Sequence, residues 1–577
     1  MRKDALKITD KNDEKTELNI GVLRLLVAAS PFLAGVYFEY LSCAVSLVLI
    51  GWLFYAKKVQ GGLTICKDLT CVSLIVLSLS FLVCSLWAVD RGMALIGFVK
   101  FLPLPLFAFA LYQISPPRRS SLLRLVPYSG AAMTVISGVL GLFAKTQGFV
   151  LVNSRLAGFF QYPNTFALFL LMGLILAVEE KCSALRKAAL IIILIFGIFA
   201  SGSRTGFVLL VLVCAALIIV LKDKSKKLVV GGGLALGILA SAIYVVCTGD
   251  LSSVGRYITT SLNSSTFLGR VLYVKDSLPV ILAHPFGLGY LGYFNLQGSF
   301  QTGVYSVVNA HNELVQMLLD VGWLPSALII AALVKSIKNG APLQKLLLLT
   351  VTAHCMLDFD MQFIAIGLVA VLAMMPADDA KQLRINSRAV SLVGALLVCV
   401  SVYLGTASAA YYMGKCETAS AVYPGYTNAW KQLLLEAQDV KNADEIADQI
   451  LRRNKSCSLA YSAKANAAYA EGDFAAVIEN KEKAIELAAY SLEEYTNYFD
   501  MLRVGIGLYE QINDPYSAQY CREHLLAIPD MLEDVMSRTD PLAQKLDDKP
   551  ELTLPDEYMQ ELALQRQAYE QLSKTLK

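Results

Sequence analysis

The chain has 577 residues, 56% of them hydrophobic and 17% charged, with a mean hydropathy of +0.53. Ordinary soluble domains carry about 25% charged residues, so composition excludes a water-soluble enzyme and indicates an all-α, polytopic helical membrane protein. The formal net charge of +3 names no partner, because the charges are segregated along the chain, and no nucleic-acid partner is expected.

The opening stretch, MRKDALKITDKNDEKTELNI, is charged and lacks the basic, apolar and small-residue order of a cleaved signal peptide. Residues 1–19 are therefore expected to form a cytoplasmic tail. Apolar segments of spanning length then recur near 20–38, 40–56, 70–88, 93–112, 122–144, 163–179, 185–202, 204–222, 228–247, 309–334, 342–358, 360–376 and 388–411. They make about 12–13 spans. Basic residues fall in alternate loops: Lys57, Lys58 and Lys67; Arg118 and Arg119; Lys181, Arg186 and Lys187; Lys222, Lys224, Lys226 and Lys227; Lys335, Lys338 and Lys345; Lys381, Arg384 and Arg388. The positive-inside rule makes those loops cytoplasmic. The other loops hold isolated cations (Arg91, Arg155, Arg204, Arg256, Arg270) and belong outside, including the long loop 248–308. A membrane domain is thus expected over 20–411, with the C-terminal part on the outer face. Most of the twelve cysteines lie in apolar runs as small hydrophobes, and no CxxC or Cys/His spacing suits a metal. Cys416, Cys457 and Cys521 could pair but make no framework.

After residue 412 the pattern becomes that of soluble helices. The run SLAYSAKANAAYAEGDFAAVIENKEKAIELAAYSLEEY, from Ser458 to Tyr495, looks like a tetratricopeptide repeat, with Ala465, Ala468 and Tyr469 at helix-pair positions and Gly472 in the turn. Windows near 425–457 and 491–528 have the same helix–turn–helix length. A helical-repeat domain is expected over 412–540, with a generic helical bundle as the alternative, followed by a linker and capping helix over 541–577. Such solenoids bind partners, so a protein partner is possible here.

Three outer-face stretches carry chemistry. Ser154-Arg155-Leu156-Ala157-Gly158-Phe159-Phe160-Gln161-Tyr162-Pro163-Asn164 leads an arginine into the sixth span, with Pro163 suited to a first helical turn. Ala200-Ser201-Gly202-Ser203-Arg204-Thr205-Gly206 sets an arginine and hydroxyl donors in a tight turn, which suits a phosphate group. In the long loop, Gly269-Arg270 precedes a helix-like run, His284-Pro285-Phe286-Gly287 makes a turn, and Asn309-Ala310-His311-Asn312-Glu313 closes the loop. Asn309 is expected to cap the next helix, with His311 in its first turn. A neutral histidine there can accept a proton. His284, next to proline, is read as structural.

Trp87-Ala88-Val89-Asp90, RLAGFFQYPN, SGSRTG, Gly269-Arg270 with HPFGLGYLGY, and AHNELVQMLLDVGW together resemble the O-antigen ligase and O-antigen polymerase superfamily of bacterial membrane glycosyltransferases, over about residues 70–376. The resemblance implies a C-type glycosyltransferase-like fold in the bacterial cytoplasmic membrane. It also implies a glycan donor on polyprenyl, usually undecaprenyl, diphosphate, and no cofactor, metal or nucleotide sugar. By motif position it places the donor diphosphate on Arg204 and Arg270, with Arg155 as a further contact. It makes His311 the catalytic residue that activates the acceptor, with Asn312 and Ser203 in support. The acceptor is a glycan, lipid or protein, and the product is cell-surface polysaccharide.

The chemistry fits without the resemblance. A lipid diphosphate is a good leaving group, so cations placed where charge develops serve the reaction. A positioned base contributes about 10²–10⁴ in rate. Inversion is expected because no carboxylate nucleophile is evident, Asp276 and Glu313 being the residues that could contradict this. The alternatives are a flippase or transporter for lipid-linked glycan, and a catalytically inactive membrane scaffold with partner-binding repeats.

Overall fold

The computed structural model describes residues 18–66, 68–248, 264–376, 382–385 and 387–575. Lys67, Arg256, Lys381 and nearly all of the expected N-terminal tail lie outside the described residues. The described residues are 77% helical and almost free of strand. Its membrane part begins with α1 (Gly21–Ala29), α2 (Glu39–Gln60), β1 (Leu63–Cys66), α3 (Leu69–Cys84), α4 (Arg91–Phe101), α5 (Pro103–Tyr112), α6 (Pro116–Leu123) and α7 (Leu125–Gly141). A short hairpin, β2 (Leu151–Val152) and β3 (Arg155–Leu156), precedes α8 (Pro163–Ala177), α9 (Ala184–Ala200), α10 (Arg204–Val220) and α11 (Lys224–Thr248). The long loop contributes α12 (Ser265–Ala283) and α13 (Gly292–Phe300). Then come α14 (Glu313–Val321), α15 (Trp323–Asn339), α16 (Pro342–Cys355), α17 (Ile364–Met374), β4 (Gln382–Ile385) and α18 (Ser387–Tyr412).

Among the described residues, four stretches are long and apolar enough to cross a membrane by length and composition: Glu39–Gln60, Arg91–Tyr112, Pro116–Gly141 and Arg388–Tyr412. Five shorter apolar helices accompany them. The apolar segments read from the sequence fall on single helices or on helices broken into two or three pieces, and one break has a plain cause. Gly322, between α14 and α15, has φ +80, and a Cβ there would lie 2.3 Å from the Pro285 carbonyl oxygen, so only glycine fits. Helix α17 is buried on every side, as its all-round apolar sequence requires. In α18 only 11% of the spanning window is buried, which puts that helix at the rim. Antiparallel pairing of β1 with β4, Leu63 opposite Ile385, ties together two loops that the charge bias assigns to the cytoplasm.

Beyond α18 lie α19 (Cys416–Val422), α20 (Thr427–Glu436), α21 (Val440–Leu451), α22 (Ser458–Glu471), α23 (Phe474–Leu487), α24 (Leu492–Gln511), α25 (Pro515–Ser537) and α26 (Asp556–Thr575). The Ser458–Tyr495 run forms a helix–turn–helix unit. Gly472 ends α22 at φ +76, and the Asp473 carboxylate caps α23 by accepting from Ala476 N. The flanking windows fold as α20–α21 and α24–α25. Phe474, Val477, Tyr495, Phe499 and Leu525 share one core, and α26 covers α25, where Arg522 Nε donates to Gln565 Oε1 at 2.8 Å. Cys416, Cys457 and Cys521 are buried free thiols rather than partners in a disulfide.

This helical layer sits on the loops that the charge bias assigns to the outer face. The buried Asp90 carboxylate accepts from Thr427 Oγ1 (2.9 Å) and Asn454 Nδ2 (3.3 Å), Arg91 N donates to Arg453 O, and Tyr423 Oη donates to Gly92 O. Asp90, one of the motif residues, is thus the seat of the C-terminal part.

Candidate functional site

Asp358 lies in the turn between α16 and α17, outside both helices, with a side chain only 1% exposed. Its Oδ1 accepts from Tyr162 Oη (2.7 Å), Phe359 N (3.1 Å) and His311 Nδ1 (3.2 Å). Its Oδ2 accepts from Asn164 Nδ2 (2.7 Å) and Arg270 Nη2 (3.2 Å). Burial alone would raise this carboxyl's pKa. The hydrogen bond from His311 and the charge of Arg270 more than reverse that, holding it well below the usual carboxylate range. Local structure delivers each donor. Pro163 at the first turn of α8 sets Tyr162 and Asn164 on either side of it, and α12 brings Arg270.

His311 stands just before α14. The helix begins at Glu313 and is capped by Asn312, whose Oδ1 accepts from Val315 N at 3.0 Å. This corrects the expected Asn309 cap and the expected place of His311 inside the first turn. Asn312 Nδ2 also donates to Met356 O (2.9 Å), which pins the Asp358 turn to the residue following His311. His311 has φ +51, a left-handed conformation that costs about 1–2 kcal/mol for a residue with a Cβ. It holds the ring against Phe359, with centroids 4.9 Å apart and planes at 78°. The ring's Nδ1 faces Asp358, and Nε2 has no hydrogen-bond partner among the described residues. Strain at a site residue of this kind is the sort that surrounding contacts must hold in place.

The arginines divide into two groups. Arg270 is on Asp358 directly, 15% exposed, and its Nε is buried without a partner among the described residues. Arg155 spans two loops: Nε donates to Ser201 O and Nη2 to Asn164 Oδ1, both at 2.8 Å, so it reaches Asp358 through Asn164. Arg204 is the first residue of α10, half-buried, on the turn whose Ser201 carbonyl holds Arg155. Ser203 is fully buried and caps α10, accepting from Gly206 N at 3.1 Å. His284 is exposed at the end of α12. Asp276 is committed elsewhere, accepting from Thr302 N, Thr302 Oγ1 and Tyr305 Oη, while Glu313 Oε2 accepts from Met361 N at 3.3 Å.

Sequence reasoning did not single out Asp358 or the buried pair beneath it. There His354 Nδ1 and Thr165 Oγ1 bind the two oxygens of Asp360 at 2.6 and 2.7 Å. The signal was present: a histidine and two aspartates inside the apolar run 342–376, where ionisable residues are costly and mark function.

Residues 189–330 match the family model for O-antigen ligase. No curated protein matches the chain. The match covers about a quarter of the chain and holds Arg204, Arg270, His311 and Asn312, while Arg155 and Asp358 lie outside it. It supports the O-antigen ligase superfamily, and with it a helical membrane enzyme of polysaccharide biosynthesis with glycosyltransferase-like activity. An O-antigen ligase uses a lipid-linked glycan donor and an acceptor.

Proposed function

We propose that the chain is a membrane glycosyltransferase that moves a glycan from a polyprenyl diphosphate, undecaprenyl in type, to an acceptor hydroxyl at the outer face of the bacterial cytoplasmic membrane. It acts as ligase or polymerase of a cell-surface polysaccharide. The observation that carries this reading is the buried Asp358 carboxylate, which grips His311 Nδ1 and Arg270 Nη2 at 3.2 Å each.

With the Nδ1 proton assigned to the bond with Asp358, Nε2 carries the lone pair that takes the acceptor hydroxyl's proton. The acceptor oxygen bonds to the anomeric carbon, the carbon–oxygen bond to phosphate breaks, and the polyprenyl diphosphate departs with the electron pair. Arg270 and Arg204, with Arg155 behind them, face the growing phosphate charge, which a guanidinium fork stabilises in a water-poor site. A carboxylate that the sequence reading did not single out, Asp358, stands beside His311 and Arg270. Asp358, however, has both oxygens occupied and is 1% exposed, so it orients His311 instead of attacking carbon. Single displacement with inversion follows. In this reading the helices of the 12–13 apolar segments are the spans, with Asp358 in the outer-face turn beyond Cys355, and the C-terminal helix pairs are tetratricopeptide-type repeats on the outer side.

Purified full-length protein supplied with polyprenyl-diphosphate glycan and an acceptor should transfer the glycan, and Arg270→Ala and His311→Ala should not. Retained transfer in both variants would sink the mechanism. Movement of the intact carrier across a vesicle bilayer, with no bond changed, would favour the flippase instead.

A further inference from the structure

A stretch of the C-terminal part, residues 540–548, lies along α12, the helix that carries Arg270. Asp540 N donates to Thr302 O at 2.9 Å, the Asp540 carboxylate pairs with Lys275 Nζ, and it accepts from Leu542 N at 2.8 Å. At the other end Asp547 N donates to Ser265 Oγ at 3.0 Å. Between these anchors Ala543 and Leu546 are buried with Leu268, Leu272 and Tyr305. Ser265 and Lys275 bracket Arg270 on the helix, so the segment clamps the turns on both sides of it.

The clamp reaches the reacting residues through aromatic rings. Tyr305 is held by the Asp276 carboxylate at 2.7 Å, and its ring centroid lies 4.6 Å from that of Tyr273. Tyr273 in turn is 6.1 Å from the His311 ring. Tyr273 is therefore the layer between the clamped cluster and His311. The donor's prenyl chain is confined to the bilayer, so the donor enters from the membrane side. The acceptor's reacting hydroxyl, on a glycan, a protein or a lipid headgroup, comes from the aqueous side, where the C-terminal part stands.

We propose that residues 540–548 form the aqueous-side wall of the acceptor path and, through Tyr305 and Tyr273, determine which acceptors reach His311. This rests on the glycosyltransferase reading. The Lys275–Asp540 pair contributes little by itself, since the Lys275 side chain is 58% exposed. Buried Ala543 and Leu546 carry the contact.

The test uses full-length Ala543→Asp, which places a charge in the buried cluster, beside the milder Asp540→Ala. Ala543→Asp should raise the acceptor KM about tenfold, leave the donor KM within about twofold, and admit acceptors that the unaltered protein rejects. Asp540→Ala should do the same to a smaller extent, chiefly through loss of the bond from Leu542 N. Hydrogen exchange at the Asp540 and Asp547 amides reports attachment independently of turnover. Protection in the unaltered protein and its loss in Ala543→Asp, together with the KM shift, support the wall. Lost protection with unchanged acceptor KM and acceptor range overturns it, as do amides unprotected from the start. No transfer by the unaltered protein removes the glycosyltransferase reading, and the wall with it, even where the amides are protected.

Discussion

Asp358→Asn keeps the size of the side chain and removes its charge. The carboxylate serves donors on both oxygens: His311, Tyr162 and Phe359 N on one, Arg270 and Asn164 on the other. An amide has one oxygen only, so either orientation sets N–H against N–H. With the amide nitrogen toward His311, the ring must accept at Nδ1 and carry its proton on Nε2, and the base is lost. With the nitrogen toward Arg270, the guanidinium loses its counter-charge. Losing one partner of a buried pair costs about 3–5 kcal/mol. Because Arg270 is 15% exposed, the lower end applies, about 3 kcal/mol of stability. A positioned base is worth about 10²–10⁴ in rate, so single-turnover transfer at saturating donor should fall by about that factor. Adding Asp358→Asn to His311→Ala should cost clearly less than the two single losses multiplied, since Asp358 acts in part through His311, the remainder coming from the counter-charge that Arg270 loses. Transfer by a folded Asp358→Asn protein within about fivefold of the unaltered rate, or full additivity in the double variant, would refute the pairing.

Arg270→Lys keeps the charge but loses the fork, so donor affinity should fall about tenfold and transfer more steeply, read as donor KM and kcat. Asn312→Ala removes the α14 cap and the bond to Met356 O; thermal unfolding should show a loss of about 1 kcal/mol, with slower transfer as the Asp358 turn loosens. Because burial is outweighed by His311 and Arg270, the Asp358 carboxyl titrates lower folded than unfolded. Its stabilisation is therefore complete above the unfolded value of about 4 and is lost only as pH falls below that, toward the folded value. The unfolding temperature of Asp358→Asn should lack this share of the acid-side decline, and an identical acid limb in the two proteins would contradict the assignment.

The helices were legible because apolar runs of spanning length leave few alternatives, and α8, α10 and α18 fall where hydropathy puts them. Arg270 and His311 were legible as polar residues in an outer loop. Asp358 was not, because it is the last residue of the apolar run 342–358 and the next run begins at 360, so a hydropathy window averages the turn into its neighbours. The start of α14 was misplaced because Asn309 and Asn312 are both good caps, and packing against Met356 O decides between them. The seat of the C-terminal part on Asp90 and along α12 pairs residues hundreds of positions apart, which no local pattern records.

The most direct measurement follows the glycosidic bond itself. Full-length protein in liposomes, given polyprenyl-diphosphate glycan and an acceptor with a chelator present, should convert the donor to glycosylated acceptor and free polyprenyl diphosphate, with His311→Ala inactive. An unchanged donor, or equal product from His311→Ala, would contradict the account.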